Sequence, residues 1–366
     1  MRERKTGIEK MNTGAVIRIA GAYVAWVMGS GFATGQEILQ FFTSYGYKSF
    51  ILLAMNLVGF LIIGPMILQA GKIHGDDPDY NHFEYFCGKK LGFFYSWFLP
   101  LSMFAGMVIL ISGAGATLEE YYGLNHYVGA LLMASMALTA YIVGFQRFVK
   151  VVSFIGPTII AFSLLVGIVT VVRDVGSLAD VNNFTAQMEA KQPVPWWWLS
   201  GLLYISYNLC GGSKYYSALG ATGATQRESF WGAVVGTLAL MASILLMNTA
   251  MLTNIGKAAV LDVPTLYLAR LIAYGLGAVF SIILIMGIFS SCSAMLWTVS
   301  EKFVKQGSRK SFIFAACVCI IAFLFGLFPF SGLVGFIYTI LGYVGLLFNA
   351  CVIYKRFTYK KDSKFE

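Results

Sequence analysis

Ten apolar stretches alternate with short polar connections along this chain. They cover 14–44, 48–71, 92–117, 125–145, 149–173, 196–221, 228–254, 268–301, 310–328 and 331–355. A membrane-crossing helix needs roughly 20 mostly apolar residues, so the pattern predicts ten spans and an all-α integral membrane protein. The first, sixth and eighth stretches exceed one crossing. The first holds Gly29-Ser30-Gly31-Phe32-Ala33-Thr34-Gly35, and the sixth holds Asn208-Leu209-Cys210-Gly211-Gly212-Ser213. Both clusters predict an interruption of the helix near the bilayer midplane; tilt or an extra turn accounts for the eighth. Residues 72–91, with His74 and His82, predict a polar loop containing a short amphipathic helix. Residues 256–267, with Asp262 and Pro264, predict a short lid before the eighth span.

Five spans precede the polar segment 174–195 and five follow it. Pro193, Pro195 and the Trp196-Trp197-Trp198 run end that segment, and tryptophan collects at the membrane–water interface. An odd number of crossings per half makes the halves insert with opposite topology. The organisation expected is a tail (1–13), a first five-helix repeat (14–173), an extracellular linker (174–195), a second repeat (196–355) and a second tail (356–366). Interrupted apolar segments at matching places in two inverted halves point to a transporter binding site.

A broken helix leaves carbonyls unpaired on one side and N–H groups on the other. In hydrocarbon such groups persist only where protein, water or ligand satisfies them. Carbonyls near Val27-Met28 attract a cation, and N–H groups near Phe32-Ala33-Thr34 attract an anion. In the sixth span the carbonyls fall near Tyr207-Asn208-Leu209 and the N–H groups near Gly212-Ser213. Facing breaks of this kind suit a small zwitterionic or amine solute. The candidate substrate residues are Gly29, Ser30, Gly31, Phe32, Ala33, Thr34, Tyr204, Tyr207, Asn208, Cys210, Gly211, Gly212 and Phe289. Tyr204, Tyr207 and Phe289 read either as a thin aromatic gate or as ordinary packing. Glycine used only for close helix contact is the alternative reading of both clusters.

Charge fixes the expected orientation. The 366 residues are 58% hydrophobic and 12% charged, with mean hydropathy +0.73 and net charge +9. The excess of Lys and Arg sits between apolar stretches, which excludes a nucleic-acid-binding face. With the N-terminus inside, twenty of the 26 Lys and Arg fall on the cytoplasmic side and five outside. Lys214 belongs to the sixth span, where it either anchors a carboxylate or snorkels toward the cytoplasm. Both termini are therefore expected in the cytoplasm of a cell whose inner (plasma) membrane holds the protein. The basic start runs into the first span without a cleavage signal. The six cysteines predict no disulfide framework. Cys317 and Cys319, two apart on one helix, point to different faces and predict no metal site.

Gly29-Ser30-Gly31-Phe32-Ala33-Thr34-Gly35-Gln36-Glu37 resembles the signature of the bacterial YkvI-like membrane proteins, a similarity that extends over essentially the whole chain. More distantly the arrangement resembles the amino acid–polyamine–organocation superfamily, whose LeuT-type fold is a five-plus-five inverted repeat with helices 1 and 6 broken. That resemblance implies a sodium site. Its pattern of a small residue followed three and four positions later by hydroxyls maps onto Gly287, Ser290 and Ser291. The accompanying carbonyls would come from Ala25 and Met28. Some superfamily members use a lysine in the fifth span instead, and here that span has only Lys150, at its cytoplasmic end.

The expected function is secondary active transport of an amino-acid-like solute by alternating access, coupled to sodium, with no cofactor beyond that ion. Glu37 leaves proton coupling open, since an intramembrane carboxyl is a functional group by default. Its other reading is a carboxylate facing a water-filled outer vestibule, bonded by Gln36 or Gln40. A non-transporting ligand-sensing subunit also remains open, although the short tails argue against it. The expected partners are the lipid bilayer and a small solute, without nucleic acid or an obligate protein. An enzyme is disfavoured: His74, His82 and His126 lie in loops or near a span's end, and no Cys/His/acid cluster meets at the midplane.

Overall fold

The computed structural model describes residues 11–75, 77, 79–144, 149–305 and 307–359, with backbone alone at 30, 149–156 and 359. The first stretch is split into α1 (Thr13–Val27), α2 (Ser30–Thr34) and α3 (Gln36–Phe41). There follow α4 (Lys48–His74), α5 (His82–Tyr122), α6 (His126–Val143) and α7 (Val149–Asp174). After α8 (Thr185–Glu189) come α9 (Trp197–Ala221), α10 (Gln226–Leu252), α11 (Ile255–Ala258) and α12 (Pro264–Ile272). The chain closes with α13 (Tyr274–Phe303), α14 (Arg309–Phe325) and α15 (Phe330–Tyr359). No strand occurs among the described residues.

Seven described helices are long and apolar enough to cross a membrane. Each of the ten predicted stretches coincides with a helix or a helix group, with one shift of boundary. Residues 268–272 belong to the capping helix α12, and the eighth stretch proper begins at Tyr274 after extended Ala273 (φ −159°, ψ 140°). The predicted short helix in 72–91 is the first arm of α5, which turns sharply at Gly88 (φ 72°, ψ 172°). Residue 145 and the tails 1–10 and 360–366 lie outside the described residues, so part of the orientation reading does too.

Glycine sets how closely the helices approach. A Cβ on Gly71 would overlap the Ser217 backbone, and one on Gly220 the Leu68 backbone, which locks α4 against α9. Gly342 and Gly345 do the same for α15 against Leu203 and Ser206 of α9. Gly232 and Gly236 receive Ile19 and Tyr23, seating α1 on α10. Without a hydrophobic drive between helices in lipid, such close backbone contact is what holds a bundle. Large apolar side chains such as Ile51, Ile62, Leu131, Leu238 and Ile320 are exposed around it. They suit a lipid-facing belt.

Two faces can be followed through the contacts. Asn12 N–H donates to Glu228 Oε1 at 2.9 Å, Lys355 lies over the Tyr85 ring, and Ser217 bonds Tyr80. The described ends of the chain therefore share one face, called here the terminal face. Tyr45 donates to the Val194 carbonyl, and Gln192 to the Ser44 carbonyl at 2.9 Å. These residues, with α11 and α12, form the opposite face.

The two predicted breaks turn out differently. The first is present. Met28 leaves the helix (φ −81°, ψ 46°), Gly29 is extended, and Gly35 adopts the left-handed region (φ +85°). The sixth span is not broken: α9 runs through 208–213 as one helix. Its polar residues bond within the helix, Asn208 Nδ2 to the Tyr204 carbonyl (3.0 Å) and Ser213 Oγ to the Cys210 carbonyl (2.8 Å). Gly212 serves close packing, because a Cβ there would collide with Trp26 and Tyr216. Gly212 thus permits close contact without unwinding the helix, and Gly211 faces open space.

Candidate functional site

A cavity of about 580 Å³ enters from the terminal face and ends beside the break in the first span. Exposed Lys214, Thr298 and Glu301 line its mouth. Trp26, Phe83, Phe98, Leu110 and Met295 line its shaft. Gly29, Gly31, Glu37, Tyr207 and Tyr338 close its blind end. On α13 the lining residues Ser291, Ala294, Met295, Thr298 and Glu301 follow helical spacing, so one face of that helix forms a wall.

Among the described residues Glu37 is the only acidic one at the blind end, and it is 5% exposed. Tyr207 donates its hydroxyl to Glu37 Oε2 at 2.8 Å. The Tyr338 ring stacks on Tyr207, centroids 4.6 Å apart and 4° from parallel, and its hydroxyl also meets the carboxylate. A Cβ built on Gly31 would overlap Glu37 Oε1 and stand 3.2 Å from Tyr338 Oη. Glycine at 31 therefore keeps one carboxylate oxygen reachable.

The placement of Glu37 follows from the turn at Gly35. With that residue left-handed, α3 restarts at Gln36 and its faces separate. Gln36 and Gln40, four apart, share one face. Gln36 Nε2 donates to the Leu261 carbonyl (2.6 Å), and Gln40 Nε2 donates to Gln36 Oε1 (2.9 Å) and the Ser331 carbonyl (2.8 Å). Glu37, about 100° around the helix from Gln36, lines the cavity instead. Glu37 is thus held by Tyr207 and not by Gln36 or Gln40, contrary to that part of the expectation.

The glutamines belong to a seal on the opposite side. Thr265 of α12 donates to the Ala33 carbonyl, and Pro264 packs against Gly35. The Val263 N–H donates to Glu120 Oε2 at 2.9 Å, and Arg270 to the Glu120 carbonyl at 3.3 Å. The lid expected over 256–267 corresponds to Leu261 and α12, which lie over α2 and α3.

Of the candidate substrate residues, Gly29, Gly31, Tyr207, Asn208, Cys210 and Gly211 line the cavity. Phe32, Ala33 and Thr34 do not: they are buried on the seal side, where Thr34 Oγ1 donates to the Gly31 carbonyl at 2.7 Å. Tyr204 is fully buried behind the site among Phe41, Phe42 and Phe60. Gly212 is packed under Trp26, and Phe289 is half-buried against the core. The Ser30 side chain lies outside the described residues. Among the candidate sodium ligands, Ala25 and Ser291 line the cavity; Met28 and Gly287 are buried, and Ser290 is half-buried. Lys214 is exposed at the mouth rather than buried at the midplane. Tyr338 is a cavity residue that sequence reasoning missed. It carries no charge and adjoins no motif, so only the fold reveals it.

All six cysteines are free thiols, Cys317 exposed and Cys319 buried, as expected of residues on different helix faces.

No family model matches the chain. It is similar to the uncharacterised membrane protein YkvI of Bacillus subtilis (strain 168), 25% identical over 356 residues, which are 95% of this chain and 98% of that protein. It is also similar to the uncharacterised protein YyaD of the same organism, 20% identical over 332 residues, 89% and 93% of the two chains. Among solved structures it is similar to a variant of the Eremococcus coleocola manganese transporter, with a TM-score of 0.48 at 13% identity, covering 96% of this chain and 79% of that one. The same transporter in complex with an aromatic bis-isothiourea substituted compound gives a TM-score of 0.43 at 14% identity, covering 99% and 74%. The apolar helices, with similarity to a membrane protein along nearly the whole chain, make this a multi-pass membrane protein.

Proposed function

We propose that this chain is a secondary active transporter of a small zwitterionic or amine solute, working by alternating access with sodium as the coupling ion. The observation that carries the reading is the cavity. It reaches from the terminal face to the break in the first span and stops beneath the sealed layer of Gln36, Gln40, Leu261 and Thr265. With the terminal face in the cytoplasm, as the Lys/Arg distribution implies, this is the inward-open end state of such a cycle.

Helix pairing supports a five-plus-five inverted repeat. Exchanging the halves maps α1 on α10 onto α9 on α4, and maps α5 on α13 and α6 on α14 onto themselves; all four contacts are present. In this proposal the unbroken α9 gives up the symmetry of the two breaks but still contributes Tyr207, Asn208, Cys210 and Gly211 to the cavity. The sodium ligands are the carbonyls of Ala25, Met28 and Gly287 and the hydroxyls of Ser290 and Ser291. Support comes from Ala25 and Ser291 sharing the cavity wall. A second reading, proton coupling through Glu37, is favoured by the position of that carboxyl at the blind end.

Uptake by purified protein in proteoliposomes tests the proposal. An inward sodium gradient should drive accumulation of a solute from an amino-acid and amine panel, and collapsing the gradient should abolish it. Accumulation that follows only a pH gradient and disappears in Glu37→Gln would select proton coupling. A protein that binds a solute yet never moves it would support the ligand-sensing subunit instead.

A further inference from the structure

The blind end of the cavity holds an acidic group with no basic partner among the described residues. Glu37 is buried there, and its partners are two phenol hydroxyls, Tyr207 and Tyr338. Among the described residues lining the cavity the only basic side chain is Lys214. It is exposed at the mouth, seven residues and hence about 10 Å along α9 from Tyr207, and shares that mouth with Glu301. A carboxylate sequestered in a largely apolar wall is costly unless a proton or a cation joins it.

Two features fit an organic ammonium group. Gly31 leaves Oε1 uncovered, since any Cβ there would take its place. Trp26, Phe83, Phe98 and Leu110 line the shaft for an apolar body, and the volume falls in the range of small-molecule sites, about 300–1,000 Å³. Among the described residues no basic side chain stands at the blind end to receive a second, anionic group.

We infer that Glu37, Tyr207 and Tyr338 form an ammonium subsite, and that the solute is a net-cationic amine with a short apolar body rather than a zwitterion. The inference deepens the proposed function and rests on the cavity being the solute site. Glu37 accepts the N⁺–H donors, Tyr207 and Tyr338 hold the carboxylate in place, and Gly31 supplies the room.

Isothermal titration of the full-length protein in nanodiscs, without sodium and at fixed pH, tests it. The probes are butylamine, phenethylamine, agmatine and choline, each of the first three paired with its N-acetyl derivative and choline with 3,3-dimethylbutanol. At least one cation should bind, with its neutral counterpart at least tenfold weaker. Glu37→Gln should lose most of that discrimination, and Glu37→Asp should keep part of it. Elution as a single species in size exclusion controls for folding of both variants. Equal binding of cation and neutral counterpart, undiminished binding by Glu37→Gln, or no binding by any cation overturns the subsite. So does a Glu37-dependent heat from sodium alone. The two readings fail separately. Glu37-dependent amine binding without uptake leaves the subsite and removes the transporter. Uptake of a zwitterion unaffected by Glu37→Gln does the reverse.

Discussion

Position 31 has no room for a side chain, and the reason is chemical as much as steric. The Cβ of any other residue would displace Glu37 Oε1 and press on Tyr338. Gly31→Leu should abolish uptake while leaving expression and size-exclusion behaviour intact; normal uptake would remove the first break from the site. Tyr207 offers a second test. Its hydroxyl donates to a buried carboxylate, and loss of a hydrogen bond to a charged group costs about 1.5–3 kcal/mol. Tyr207→Phe should lower thermal stability accordingly, whereas in a Glu37→Gln background the same change should cost less. That coupling, read from a double-mutant cycle, is absent if the two side chains act independently. At this scale the sequence was informative where charge or glycine stood out, as with Glu37 and Gly31. It was uninformative for Tyr338, one of 20 tyrosines, which meets Tyr207 only through the packing of α15 on α9. Tyr204 packs behind the cavity rather than lining it for a related reason: distance along a helix does not say which side faces the cavity.

The first span and α9 carry the same types of residue and behave differently. In the first span the chain needs a left-handed residue at 35, and the space there is filled by Met251, Thr265 and Pro264. Gly35→Ala should therefore destabilise by at least the roughly 1–2 kcal/mol cost of that conformation, visible as a lower thermal midpoint in detergent. An unchanged midpoint would mean that the seal tolerates a different backbone. In α9 no described glycine has positive φ, and Asn208 and Ser213 return their side chains to their own helix. Glycine and small polar residues thus announce close approach as readily as a break, and sequence alone does not separate them. The spans were legible because roughly 20 apolar residues are a coarse and redundant signal. On α13, Ser290→Ala or Ser291→Ala removes one proposed sodium ligand. Apparent sodium affinity in uptake should fall roughly 5- to 150-fold, the equivalent of about 1–3 kcal/mol. Solute affinity at subsaturating sodium should fall with it and recover at saturating sodium. Uptake that ignores sodium in wild type and both variants would make the serines ordinary helix residues.

On the scale of the whole molecule the structure is asymmetric across the membrane plane. One face admits a cavity to the middle of the bundle, and the other is closed by Leu261 and α12 over α2 and α3. A reporter fused after Glu366 should be active only in the cytoplasm; activity outside would invert the assignment of the two faces. The most direct test of alternating access reads both ends of the pathway at once. Thr298→Cys places a thiol at the cavity mouth, and Gln36→Cys places one in the seal. Membrane-impermeant maleimide is applied from each side of oriented vesicles, with and without sodium and solute. Thr298→Cys should label only from the cytoplasmic side and Gln36→Cys only from outside, and conditions that raise one rate should lower the other. Rates that vary independently, or a residue at 36 that no condition exposes, would contradict the account.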